Sequence, residues 1–162
     1  MKRFLLSVFV CGVLFNACLK VEELPPEPII KFERFAVQGD SVAFFTFSFQ
    51  DGDGDIGLRT GDTLGVFHRD SLYYNNLFLE YFELDSGEWV KQDVSVPFYY
   101  RIPELSPIGQ NPTLEGDIEV ELAPFFNPFS SLDTFRFEAK MVDRSLNESN
   151  LIVTPGLVKS SF

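Results

Sequence analysis

An antiparallel all-β sandwich of seven to eight strands is the fold this sequence predicts, and three observations carry it. Short stretches alternate apolar and polar residues at a period of two, which sends one side of a strand into a core and the other into water. Turn-forming residues separate these stretches. The alternation itself selects antiparallel pairing, because strands of parallel sheets are buried on both faces and read as continuous apolar runs.

The expected strands follow in order. Residues 29–37 open the set. Residues 41–50 place Ala43, Phe45, Phe47 and Phe49 on one face and Thr46, Ser48 and Gln50 on the other. Residues 76–84 form a third strand and 88–92 a short fourth, joined by the turn Asp85-Ser86-Gly87. Residues 96–102 are extended, and Pro97 and Pro103 assign them to an edge, since proline withholds a ladder donor. Residues 116–122 set Ile118, Val120 and Leu122 against Asp117, Glu119 and Glu121. Residues 133–142 turn Phe135, Phe137, Ala139 and Met141 inward, and 151–159 close the domain. The segment 57–75 fits no element. Connections of that length inside a compact domain are uncommon and usually functional.

An export signal precedes the strands. Lys2 and Arg3 lead an apolar run, residues 4–15, and the small Ala17 stands directly before Cys18. A charged start, a short apolar stretch and a small-residue cut site make a secretory signal. The run is too short to span the hydrocarbon core, which needs about 20 residues. A cysteine at the cut point is what bacterial lipoprotein processing requires, because its thiol receives the diacylglycerol; Leu14-Phe15-Asn16-Ala17-Cys18 resembles a lipobox. The chain therefore divides into a lipoprotein signal peptide (1–17), a lipidated Cys18 with a Pro/Glu tether (18–28) and the sandwich (29–162). Pro25, Pro26 and Pro28 bias the tether towards polyproline II. Glu22-Glu23 resembles the acidic surface-export signals of Bacteroidota lipoproteins.

Composition narrows the partners. With 13 Lys and Arg against 24 Asp and Glu the formal charge is −11, and the signal removes two basic residues and no acidic ones. Nucleic acid is excluded, because its affinity comes from neutralising phosphates. A basic patch on anionic lipid is excluded likewise, so the expected membrane bond is the acyl chain on Cys18. Once Cys11 is cleaved away and Cys18 acylated, no thiol is left for a disulfide, a metal or catalysis. The core alone must hold the fold, and with 19 Phe in the chain it is expected to be aromatic.

The chemistry begins at Asp51-Gly52-Asp53-Gly54-Asp55-Ile56-Gly57. Glycines let the chain curl and gather Asp51, Asp53 and Asp55. Converging carboxylates repel unless protonated or neutralised, and Ca²⁺, which takes oxygen ligands, is the natural neutraliser. The run is not an EF-hand, because Ile56 and Asp62 stand where that loop needs glycine and glutamate. A plain solvated turn has the same composition. In an Ig-like sandwich the loops after strands B and F share one end. If 41–50 is B and 133–142 is F, Asp143-Arg144-Ser145-Leu146-Asn147 lies beside the Asp/Gly loop. Two outcomes stay open: Asp143 joins as a fourth ligand, or Arg144 neutralises the cluster without metal.

Phe49 to Gly57, then Val96-Pro97-Phe98-Tyr99-Tyr100-Arg101-Ile102-Pro103, then Asp143 to Asn150 resemble a family of Bacteroidota lipoproteins with no assigned activity. The last segment is also similar to the F–G region of fibronectin-III-like domains. The resemblance covers nearly the whole mature chain and implies an Ig-like (fibronectin-III-like) sandwich at the cell envelope.

Catalysis has little to work with. His68 is the sole histidine and has no nucleophile signature around it. The loop acids read as solvated and mutually close, not split into acid and base environments. Tyr73, Tyr74, Trp89, Phe98 to Tyr100 and Phe125-Phe126 are either core or a stacking face for glycan or protein. The sequence thus points to a non-catalytic outer-membrane lipoprotein. It is expected to carry Ca²⁺ at Asp51, Asp53, Asp55 and Asp143, and to meet an envelope protein or glycan. The alternative is a glycan-binding accessory lipoprotein using Trp89, Tyr73 and Tyr74; a hydrolase comes third.

Overall fold

A computed structural model of the chain describes residues 24–105 and 112–162. The expected signal peptide, the acylated Cys18 and the first part of the tether lie outside the described residues. Among the described residues no helix is long and apolar enough to cross a membrane.

Among the described residues, nine antiparallel strands form two sheets. The smaller sheet holds β1 (Ile29–Gln38), β2 (Val42–Asp51) and β6 (Leu114–Leu122) in the order β1-β2-β6. The larger sheet is built on β3 (Leu77–Asp85) and β7 (Thr134–Met141), which pair along Leu77–Glu83. The short strands β4 (Glu88–Lys91) and β5 (Phe98–Tyr100) both pair with β3, on opposite halves of it. On the far side of β7 run β8 (Ile152–Val153) and β9 (Leu157–Val158). The element expected at 151–159 is thus two short pieces interrupted around Pro155-Gly156, where proline cannot donate to the ladder. The expected extension at 96–102 narrows to β5, which among the described residues pairs with β3 alone, in keeping with its flanking prolines. In the β3–β4 turn Ser86 (φ 51°) and Gly87 (φ 91°) are both left-handed, the backbone a tight two-residue hairpin needs.

The core is aromatic, as the composition implies. Phe45 and Phe47 from one sheet and Phe135, Phe137 and Tyr81 from the other are almost wholly buried. Phe35 reaches across from β1 to stack on Phe137, with ring centres 5.9 Å apart, and Phe98 meets Phe137 edge-on at 5.1 Å. Each such ring contributes about 1.5–3 kcal/mol on burial. The sheets are also sewn together at an edge. Asn150 accepts from the Ile30 N–H and donates to the Ile30 carbonyl, both at 2.8 Å, imitating a strand partner for β1.

Strand parity has a second effect. Leu77, Leu79 and Tyr81 point inward from β3, and the next residue of that parity is Glu83, only 1% exposed. It is fully engaged. Lys159 approaches it at 2.8 Å, Ser130 donates at 2.6 Å and the Tyr81 hydroxyl at 2.9 Å. These donors outweigh the cost of burial and hold the Glu83 carboxyl below its usual range. This cluster fixes the C-terminal turn against the pole of the sandwich where β3 ends. Lys159→Ala should therefore cost about 3 kcal/mol in urea unfolding, because it strands a buried charge. Lys31→Ala, which breaks an exposed pair with Glu33, should cost less than about 1 kcal/mol.

Candidate metal centre

The opposite pole gathers the acids. β2 turns Ala43, Phe45, Phe47 and Phe49 inward, and Asp51 continues that parity into the core with no exposed surface. β7 does the same with Phe135, Phe137, Ala139 and Met141, and Asp143 follows at 1% exposure. The loop after β2 brings Asp53 and Asp55 back over them. Gly54 (φ 70°) supplies the left-handed residue of this curl. One carboxylate oxygen from each of Asp51, Asp53, Asp55 and Asp143 lies within 4.8 Å of the others. The loop acids expected to be solvated are therefore only partly so: Asp53 is exposed, Asp55 half-buried and Asp51 buried.

In Asp51 and Asp55 the two carboxylate oxygens are used differently, whereas both oxygens of Asp143 are engaged. Asp51 Oδ2 accepts from the Ile56 N–H at 2.9 Å, whereas its Oδ1 is buried with no hydrogen-bond partner. Asp55 Oδ2 accepts from the Ser145 hydroxyl at 2.7 Å, and its Oδ1 is likewise buried and bare. Asp143 is held by Asn147 through both backbone N–H and side-chain amide, each at 2.8 Å. An anchored oxygen beside a bare one, as in Asp51 and Asp55, is how outer partners orient a metal ligand. Burial first, then the Asp53 charge, push the Asp51 carboxyl up to about 7, with Asp55 and Asp143 adding to the rise. Burial also raises Asp143, against the pull of Asn147.

Of the two outcomes left open for the F–G segment, Asp143 joins the cluster. Arg144 turns away, pairing with Glu104 at 2.9 Å and Asp62 at 3.6 Å. Its role is to fasten the surrounding loops. The segment 57–75, unassigned from sequence, is a pinned loop with 3₁₀ turns at Gly65–Phe67 and Leu72–Tyr74. Leu58 exchanges backbone hydrogen bonds with Ile102 and Glu104, both at 3.0 Å. Gly57 (φ 87°) permits this approach, since a Cβ there would fall 2.2 Å from the Pro103 oxygen. The Arg101 guanidinium donates to the carbonyls of Tyr74, Arg59 and Asp62. His68 sits exposed in this loop, 3.6 Å from Asp70.

The aromatic candidates are dispersed. Trp89 lies opposite Leu84 near one end of β3, whereas Tyr73 and Tyr74 precede its other end. The Trp89 ring is covered by the Arg136 guanidinium at 4.5 Å. Tyr73 lines a recess of about 300 Å³ with Leu72, Phe78, Glu80 and Tyr99. The Ser145 hydroxyl, Asn147 and the Ile56 N–H orient the acids, a role the sequence pattern does not assign to them. The offset of Asn147 from Asp143 is a local signal that could have found one of them.

No protein-family model matches this chain, and no curated protein is significantly similar to it.

Without metal, the raised Asp51 carboxyl weakens the fold as pH rises from about 4 towards about 7, because the unfolded chain releases that proton first. Above that range the penalty is complete. In chelator at pH 7.5, Asp51→Asn should therefore melt roughly 3 °C or more above the native protein. At pH 4 the two should melt together. Differential scanning calorimetry across this range checks both.

Proposed function

We propose that the chain is a lipid-anchored, non-catalytic module of the bacterial outer envelope, related to Bacteroidota lipoproteins, whose sandwich is completed by Ca²⁺ at the Asp51, Asp53, Asp55, Asp143 cluster. The observation that carries the metal reading is the pair of buried, partnerless oxygens, Asp51 Oδ1 and Asp55 Oδ1, within a group of four converging acids. Leaving such atoms bare costs free energy that a cation would recover.

The donor set selects the ion. Only oxygens converge here, which suits hard cations and not zinc or copper. Ca²⁺ binds oxygen at about 2.3–2.6 Å, so ligands on opposite sides of one ion stand nearly 5 Å apart. A cluster closed within 4.8 Å matches that span. The ion's work is structural: it cancels the repulsion among the acids and ties the loop after β2 to the segment after β7, one from each sheet. Export and acylation at Cys18 rest on the charged, apolar and small-residue pattern of 1–18. The partner is an envelope protein or glycan.

Calcium at 100 times its dissociation constant should stabilise the fold by about 2.7 kcal/mol, seen as a rise in melting temperature. Asp51→Asn should abolish the rise and Asp53→Asn reduce it. Equal melts in millimolar Ca²⁺ and in chelator would remove the metal from this reading. Intact-mass analysis of the exported protein tests the acyl chain separately.

A second reading, glycan binding, is favoured by the Tyr73 recess, where the Phe78 and Tyr99 rings meet edge-on at 5.0 Å beside Glu80. On a glycan array, Tyr73→Ala should then lose binding while Trp89→Ala retains it, since Arg136 already occupies the indole face.

A further inference from the structure

The metal loop is also where the N-terminal segment is held. Residues 24–28, assigned from sequence to a free tether, run across the loop before entering β1. The Gly52 N–H donates to the Pro25 carbonyl at 3.2 Å. A Cβ on Gly52 would stand 2.4 Å from both the Leu24 and Pro25 oxygens and 2.8 Å from the Leu24 carbonyl carbon. Those are backbone atoms, so no side-chain adjustment would relieve the clash. Pro28 is buried, and Asn150 grips Ile30 from both sides. Gly52 is flanked by two of the proposed ligands, Asp51 and Asp53.

We propose that the cation site locks this N-terminal segment to the domain. The inference rests on the metal reading above. With Ca²⁺ bound, Asp51 and Asp53 share one ion, and the backbone between them is fixed in the shape that accepts Leu24 to Pro28. With Ca²⁺ removed, four acids repel at close range, Asp53 swings towards water, and the Gly52 N–H leaves its acceptor. Leu24 to Pro28 then come off the surface. The ion thus determines how much of the chain before β1 is held on the sandwich. Linkage makes the effect reciprocal: whatever factor Ca²⁺ adds to segment docking, docking adds to Ca²⁺ affinity.

The test uses the full mature lipoprotein in detergent, digested with a glutamate-specific protease, each cut quantified by mass spectrometry. Cleavage at Glu23–Leu24 should be about tenfold slower in millimolar Ca²⁺ than in chelator, a typical size for coupled sites. Cleavage at Glu88–Trp89, in the hairpin at the far pole, should change less than twofold. Equal slowing at both bonds would mean general stabilisation and overturn the lock. Calcium binding seen by titration calorimetry with no change at Glu23–Leu24 would overturn the lock and leave the metal site standing. No calcium binding would remove both. As an independent arm, Gly52→Ala should fold, cut rapidly at Glu23–Leu24 with or without Ca²⁺, and bind Ca²⁺ about tenfold more weakly; unchanged affinity with rapid cutting would overturn the coupling.

Discussion

The two-residue period of a β-strand governs both the stability of this protein and the position of its acids. Once Phe45 and Phe47 are committed to the core, every second residue of β2 must follow them, and the last is Asp51. The same rule in β7 carries Asp143 inward behind Phe137 and Met141. In β3 it carries Glu83 behind Tyr81. Three carboxylates are buried not because burial suits them but because stronger apolar neighbours decide the register. Each must then be compensated at its own site.

The compensations differ, and the difference separates structure from function. Glu83 is answered in full by Lys159, Ser130 and Tyr81, all from the chain itself. Asp51 is answered only in half, by the Ile56 N–H. Arg144, the cation nearest in sequence to the cluster, is spent on Glu104 and Asp62. The pole at Glu83 is chemically closed. The pole at Asp51 has unmet demand for positive charge, and that asymmetry is what gives the metal proposal its weight.

Much of this was legible in the residues. Alternation located the strands because one wet face and one dry face leave a direct imprint on composition, and the B–F argument brought Asp143 to the Asp/Gly loop. Parity also predicts that Asp51, Glu83 and Asp143 are inward, although from the sequence only the meeting of Asp51 and Asp143 was expected, and not the burial of any of the three. Other features depend on contacts between segments remote in sequence and leave no local imprint. Arg144 has several acids within reach, and its choice of Glu104 follows from the course of the 102–105 segment. Gly52 reads as a flexible turn residue, yet its φ is ordinary, and what it provides is room for the Pro25 carbonyl. The loop 57–75 looked structureless because its own turns are short and irregular, and the contacts that pin it come from Arg101 and the 102–104 segment.

One consequence follows from where the ends of the described chain lie. Residues 24–28 sit at the pole of Asp51, whereas the C-terminal turn, held by Lys159 and by the 5.6 Å contact of Phe162 with Phe125, sits at the other. Tension applied between those ends would run parallel to the strands. It would load the hydrogen bonds of each ladder side by side instead of peeling them one after another, the geometry in which a sheet resists pulling best.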